Sequence, residues 1–155
     1  IDRNKAITIY NFVNKKENIN GPSYNKSYVL YFGRLSYEKG RNDVIKAAEL
    51  LPKINFKICG SGPLEKQLKI YIQKNDINNV DLLGYKSKNE LLNIIKSAYV
   101  SVIPSLWYEN CPMSVIESKC LGTPVIGTFM GGIPELIRDG IDGYLYKPTD
   151  YRILL

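Results

Sequence analysis

The sequence predicts an α/β fold in which a mainly parallel sheet carries helices on both faces. Three observations predict it. From residue 28 onward short apolar runs alternate with segments of helical periodicity; the runs end at Gly, Pro or Ser; and the intervening segments are long enough to be helical crossovers between parallel strands. At 155 residues the chain has the size of one domain and can bury a full core.

Taken in order, residues 6–13 are apolar enough for a strand. Residues 14–27, polar, rich in Asn and Lys and containing Gly21-Pro22, read as a linker. The first strong strand is 28–32, closed by Gly33, and a helical pattern over 40–51 follows. Strand 55–59 ends at Gly60, before a helix over 64–74 with Pro63 at its start. Strand 80–83 ends at Gly84. Ser87 and Glu90 then form a capping-box pattern ahead of Leu91 and Leu92, opening a helix over 88–97. Strand 99–104 ends in Pro104-Ser105. The helix over 112–121 has Pro112 at its start, where a missing N–H costs little, and Gly122 after its end, where a left-handed residue is wanted. Strand 124–127, a helix over 133–139 followed by Gly140, and strand 144–146 complete the series. The chain stops at residues 152–155, in what reads as the opening of a further helix, so both ends have the look of cuts in a longer protein.

Composition excludes several classes. With 45% hydrophobic and 23% charged residues the chain is ordinary for an α/β protein, and no apolar run reaches the ~18 residues of a membrane span. Signal and transit peptide features are missing. The net charge of +6 suits an anionic ligand or an acidic membrane surface, but the lysines are spread along an Asn- and Ile-rich chain, the pattern of solvated helix faces. No basic and aromatic cluster suggests a nucleic-acid groove. Cys59, Cys111 and Cys120 lack C-x-x-C spacing, which argues for free thiols in the cytosol over a disulfide framework or zinc site. Histidine is absent, so an imidazole base is not available within the segment.

The densest chemistry lies at residues 107–121, WYENCPMSVIESKCL. Glu109 and Glu117 stand eight positions apart across a loop-to-helix junction that follows an apolar strand. Ligands of open parallel sheets bind at the carboxyl ends of strands, and a helix start adds free N–H groups that suit an anion. On a 100° helical step Glu117 falls between Met113, Cys120 and Leu121, on a face that is otherwise apolar. A carboxylate there needs a ligand hydroxyl, a cation or a backbone donor; a helix-end Glu capping a neighbouring loop is the structural alternative.

Arg34 and Lys39 lie in the loop that leaves the first strong strand, bracketed by Gly33 and Gly40. Two fixed cations there can hold a diphosphate, with Gly33 letting the backbone approach it; a solvated loop is the alternative. Cys59-Gly60-Ser61-Gly62-Pro63-Leu64-Glu65 makes a tight turn, but Glu65 stands where a dinucleotide fingerprint wants its third glycine. Gly131-Gly132 either wraps a ligand or turns the chain. The sequence holds no G-x-x-x-x-G-K-[ST] loop, no G-x-S-x-G elbow and no D-x-D pair.

Five segments in order, Gly33-Arg34-Leu35 with Glu38-Lys39-Gly40, Gly60-Ser61-Gly62-Pro63, Glu109 to Glu117, Gly122-Thr123-Pro124-Val125-Ile126 and Gly131-Gly132-Ile133-Pro134-Glu135, resemble the C-terminal domain of retaining GT-B glycosyltransferases of family 4. They cover most of residues 28–146. Each is loose alone, and the ordered set is specific.

The resemblance implies a Rossmann-like half of a two-domain enzyme. Residues 28–155 would be the domain that binds a nucleotide-diphosphate sugar, UDP- or GDP-linked. Residues 1–27 would come from the interdomain region, and the acceptor-binding N-terminal domain would be missing. It implies that Arg34 and Lys39 hold the diphosphate and neutralise the leaving nucleotide, that Glu117 accepts hydrogen bonds from ribose hydroxyls, and that Glu109 binds hydroxyls of the donor sugar. Residues 110–113 would offer backbone N–H groups, and Gly84-Tyr85-Lys86 would border the base. The substrate-binding set is thus Gly33, Arg34, Lys39, Gly60, Gly62, Tyr85, Glu109, Asn110, Cys111, Met113, Ser114 and Glu117, with Glu109, Arg34 and Lys39 catalytic. No metal or other cofactor is expected.

The same likeness implies transfer with retention of anomeric configuration, in polysaccharide or glycolipid assembly, by a cytoplasmic protein with peripheral association at the inner face of the membrane. Two departures bear on it. Cys111 stands where many relatives have an aromatic, and Pro112, where many have Gly, lacks an N–H, which moves the phosphate contact to Met113 and Ser114. The segment alone is expected to bind nucleotide weakly and transfer nothing. The competing classes are a nucleotide-binding or scaffolding domain without activity, a dinucleotide oxidoreductase, which the missing glycine disfavours, and an α-glucan phosphorylase, whose lysine-bound pyridoxal phosphate nothing here marks.

Overall fold

The computed structural model describes residue 7, residues 9–13 and residues 26–154. Six strands, β1 (Tyr28–Phe32), β2 (Phe56–Cys59), β3 (Val80–Gly84), β4 (Ala98–Ile103), β5 (Val125–Thr128) and β6 (Gly143–Tyr146), form one sheet in the order β3-β2-β1-β4-β5-β6. Every neighbouring pair is parallel. Five α-helices connect them: α1 (Arg41–Leu50), α2 (Glu65–Lys74), α3 (Lys88–Lys96), α4 (Met113–Cys120) and α5 (Ile133–Leu136).

The sheet divides the core in two. Tyr31, Phe56, Ile58 and Val102 pack with Val44, Ala47 and Ala48 of α1 and Leu68 of α2. Leu30, Phe32, Ile103 and Val125 pack with Ile95 of α3, Val115 of α4 and Ile133 of α5. Period-2 alternation along β1 therefore sends Leu30 and Phe32 to one face and Tyr31 to the other. Strands covered on both faces read as continuous apolar runs, which is why residues 28–32 stood out in the sequence.

The local signals act as their chemistry requires. Ser87 and Glu90 close a full capping box at α3, with the Ser87 N–H donating to Glu90 at 2.9 Å. Gly122, at φ +72°, turns the chain out of α4 in the left-handed region.

Three expectations change. Residue 7 and residues 9–13 form no strand; Ile7 and Phe12 are exposed, so their apolar side chains are not packed into the core. Helix α5 stops at Leu136 instead of continuing to 139, because Ile137 is extended and the Arg138 N–H and Nε both donate to Asp142, at 2.9 and 2.7 Å, which pulls the chain into a turn. The chain's last described stretch is a 3-10 turn, Tyr151–Leu154, against α1, not the start of an α-helix. Ala6 and Thr8 of the expected first strand, and residues 14–25 of the expected linker, lie outside the described residues.

Candidate functional site

Strands β1 and β4 are neighbours in the sheet, yet the helices that follow them, α1 and α4, lie on opposite faces. The chain diverges there, and a crevice opens at the carboxyl ends of the two strands. It holds a cavity of about 290 Å³ lined by Gly33, Arg34 and Lys39 from the β1 loop, Ser105 and Glu109 from the β4 loop, and Met113, Ser114 and Glu117 from α4. The two cations and the two acids chosen from the sequence thus share one cavity.

Glycine contacts set the geometry. Gly40, at φ +66°, lies so close to β4 that a Cβ would sit 1.6 Å from the Pro104 carbonyl oxygen. The Leu106 N–H donates to the Glu38 carbonyl at 2.8 Å across the same seam. This contact brings Lys39 Nζ to 2.5 Å from Glu109 Oε1, which also accepts the Ser105 hydroxyl at 2.9 Å. Ser105 is itself fixed, since the buried Thr128 hydroxyl donates to its carbonyl at 2.7 Å. Behind Glu109, the Gly132 N–H donates to the Glu109 carbonyl at 2.6 Å, and a Cβ on Gly132 would fall 2.0 Å from the Asn110 carbonyl oxygen. The glycine pair 131–132 therefore packs against the backbone of the acidic loop.

On the β1 side, the Tyr31 phenol donates to the Arg34 carbonyl at 2.8 Å, and burial pushes that phenol far above its usual range. The Ser36 hydroxyl donates to Glu38 and holds its carboxyl below the ordinary value.

A second hollow of about 310 Å³ continues from the first through Phe32, Gly33 and Arg34, and is lined further by Cys59, Gly60, Ser61, Tyr85, Lys86 and Leu91. Gly60 and Tyr85 belong here. Burial raises the Cys59 thiol, while the Lys86 ammonium works in the opposite direction. A wider hollow of about 610 Å³ lies at the amino ends of β2 and β3, where the Asn79 amide donates to the carbonyls of Ala48, in the last turn of α1, and of Leu51, which caps it, both at 3.0 Å. That arrangement ties α1 to the β3 approach and carries no reactive pair.

Three of the expected site residues line neither cavity, and one helix face differs from its expectation. Gly62 lines neither cavity: a Cβ on it would meet the Leu35 backbone at 2.5 Å, so it serves the seam between the β1 and β2 loops, where the Leu35 N–H also donates to the Ser61 carbonyl. Asn110 and Cys111 lie outside both cavities, and the Cys111 carbonyl accepts from the Asn11 side chain at 3.0 Å. The face of α4 that carries Glu117 is apolar in composition but not buried throughout. Met113 and Cys120 are exposed, the buried residues of the helix are Val115 and Ser118, and Glu117 is half-buried at the cavity wall. Pro112 is the residue before the helix, so α4 begins at Met113. Among residues the sequence did not single out, Ser105 is the partner of Glu109; its signal was a hydroxyl placed directly after an apolar strand.

Among the described residues, no group of three or more His, Cys, Asp or Glu side chains could hold a metal ion, and no helix is long and apolar enough to cross a membrane.

Comparison with known proteins places this geometry in a family. Residues 12–154 match the family described as glycosyl transferases group 1. The chain is 35% identical over 148 residues to an uncharacterized glycosyltransferase of Methanocaldococcus jannaschii, covering 96% of this chain and 41% of that protein. It is 32% identical over 159 residues to the UDP-Gal:alpha-D-GlcNAc-diphosphoundecaprenol alpha-1,3-galactosyltransferase of Escherichia coli, covering 97% of this chain and 40% of that protein. Among solved structures, it is similar to S. aureus TarM in complex with UDP, with a TM-score of 0.82, 25% identity and coverage of 96% of this chain and 30% of that one. A second neighbour, the lipopolysaccharide outer core galactosyltransferase WaaB, gives a TM-score of 0.76 at 26% identity, covering 96% of this chain and 44% of that one. The chain spans about two-fifths of the length of the curated relatives named here. With the match running through every strand and both cavities, the chain belongs to the glycosyl transferases group 1 family.

Proposed function

We propose that this chain is the donor-binding part of a retaining glycosyltransferase of family 4, acting on a nucleotide-diphosphate sugar in polysaccharide or glycolipid assembly. The observation that carries the reading is the shared cavity of Arg34, Lys39, Glu109 and Glu117 at the carboxyl ends of β1 and β4. In support, S. aureus TarM was solved with UDP and Anabaena HepE with UDP-glucose.

In this reading Arg34 and Lys39 hold the diphosphate and Met113 and Ser114, at the start of α4, turn backbone N–H groups toward it. Glu117 accepts from the ribose hydroxyls and Glu109 from the sugar. The Lys39–Glu109 pair couples the two ends of the donor. A diphosphate draws the ammonium away from Glu109, and the carboxylate, left with the Ser105 hydroxyl, gains from the hydroxyl donors that a sugar brings. As the nucleotide leaves, negative charge grows on its phosphate, and cations and amides that tighten on it lower the barrier. Retention then follows from attack on the face from which the nucleotide departs, with the phosphate taking the acceptor proton and no side chain acting as nucleophile. The acceptor-binding half lies N-terminal to this domain, and the whole protein works in the cytoplasm, peripherally at the membrane.

Calorimetric titration of the chain with UDP, GDP and ADP, repeated for Arg34→Ala and Glu117→Ala, tests the reading. Each substitution should weaken the binding nucleotide about tenfold or more, the size of one charge-assisted hydrogen bond. Equal heats for all variants would remove the nucleotide site. A full-length protein that binds the donor but never breaks its glycosyl bond would favour an inactive nucleotide-binding domain instead.

A further inference from the structure

We infer that Lys86 makes this site selective for nucleotides whose base carries a ring carbonyl, uracil or guanine, over those carrying an exocyclic amine in its place, cytosine or adenine. The inference rests on the proposed nucleotide site and concerns its second cavity. That hollow opens from the first across Phe32, Gly33 and Arg34, so a nucleoside whose diphosphate lies between Arg34 and Lys39 can extend its base into it. Its lining is mostly apolar: the Phe32 ring, the buried Cys59 thiol and Leu91, with the Tyr85 ring exposed at the rim. Such walls suit a flat heterocycle and do not distinguish one base from another.

Discrimination needs a polar group with an unmet hydrogen-bonding capacity, and most of the backbone around the hollow is already engaged. The Gly33 N–H donates to the Cys59 carbonyl at 3.0 Å, the Gly60 N–H to the Gly84 carbonyl at 2.8 Å, and the Leu35 N–H to the Ser61 carbonyl at 2.9 Å. The Cys59 thiol also points to the Gly84 carbonyl, at 3.5 Å. Lys86 differs. It is half-buried at the wall, it makes no hydrogen bond or ion pair to any described residue, and its charge is felt at Cys59 in the floor and at Glu90 on α3.

An ammonium is a donor only. It meets the O4 of uracil or the O6 of guanine as an acceptor, and it opposes the N4 amine of cytosine or the N6 amine of adenine. UDP and CDP are the sharpest pair, because they share ring size, ribose and diphosphate and differ at that edge of the ring.

The test is calorimetric titration of the chain and of Lys86→Met with UDP, CDP, GDP and ADP, with Arg34→Ala as reference. The wild-type chain should bind UDP about tenfold or more tighter than CDP, matching one hydrogen bond to a charged group, and GDP tighter than ADP. Lys86→Met, which keeps the apolar stem and removes the charge, should bring UDP and CDP to within about twofold of each other. Arg34→Ala should weaken all four alike and leave their ratios unchanged. A wild-type chain that binds CDP as tightly as UDP, or a Lys86→Met variant that keeps the wild-type ratio, overturns the inference while leaving the nucleotide site intact. Failure of all four to bind overturns both.

Discussion

Replacing Gly40 by alanine isolates the contact on which the site geometry rests. Gly40 has φ +66°, and a Cβ there would lie 1.6 Å from the Pro104 carbonyl oxygen and 2.7 Å from its carbon. Gly122 has nearly the same backbone, φ +72°, with nothing within 4 Å of its Cβ position. Left-handed strain alone costs an alanine about 1–2 kcal/mol, and Gly122→Ala should lose no more than that. At Gly40 the clash is with backbone, so the β1 and β4 loops must part. Parting them removes the Leu106 N–H bond to the Glu38 carbonyl, about 1–3 kcal/mol where a buried group is left unsatisfied, and separates Lys39 from Glu109. Gly40→Ala should therefore lose about 2–5 kcal/mol in urea unfolding, with an unchanged m-value, and nucleotide binding should fall with it. Equal losses for the two variants would refute the reasoning, because only the steric contact differs between them.

Two further outcomes follow from the polar supports. Burial pushes Asp142 up, but the Arg138 side chain and N–H and the Lys119 ammonium outweigh it and bring the carboxyl down to about 2 from the ordinary 3.8. Its contribution is thus complete above about pH 4 and is lost as the pH falls toward 2; acid unfolding followed by circular dichroism should show a shallower decline over that window in Asp142→Asn. Thr128→Val keeps the side-chain shape but leaves the Ser105 carbonyl without its donor, so urea unfolding should show a loss of about 1–3 kcal/mol, and a variant as stable as the parent would mean that the bond holds nothing in place.

The sheet was legible because its strands are buried on both faces and sharply punctuated. Residues 28–32 are β1 with the expected bounds, and the other five strands lie within one residue of theirs. The acids and cations were legible because charge at a strand end is conspicuous. What could not be read was contact between segments far apart in the chain. Gly60, Gly62 and Gly132 look alike in sequence; only the fold shows that all three are spacers between backbones and that Gly60 alone also lines a cavity. The Lys39–Glu109 pair spans seventy positions, so its partners could be assigned to one site from the sequence while their direct ion pair could not. The helical projection misjudged α4 for a related reason. A wheel assigns one apolar face, whereas α4 has the sheet on one side and the crevice on another, leaving Val115 and Ser118 buried while Met113 and Cys120 meet solvent.

The crevice itself is a consequence of strand order. Right-handed crossovers that run outward from β1 to β2 and β3 place α1 and α2 on one face; reversing direction to reach β4, β5 and β6 places α3, α4 and α5 on the other. Among the described residues no helix of either layer crosses the gap between the β1 and β4 ends, so the packing of helices leaves that part of the sheet rim open. Loops entering it from both sides must approach closely to fill it, and side chains on those loops would hold them apart. Glycine at 40, 131 and 132 removes that obstacle. The backbones can then close on one another while Lys39, Glu109 and Arg34 line the space that remains. The glycines and the charged residues are therefore two halves of one requirement: a tight seam of main chain beneath an open, polar crevice.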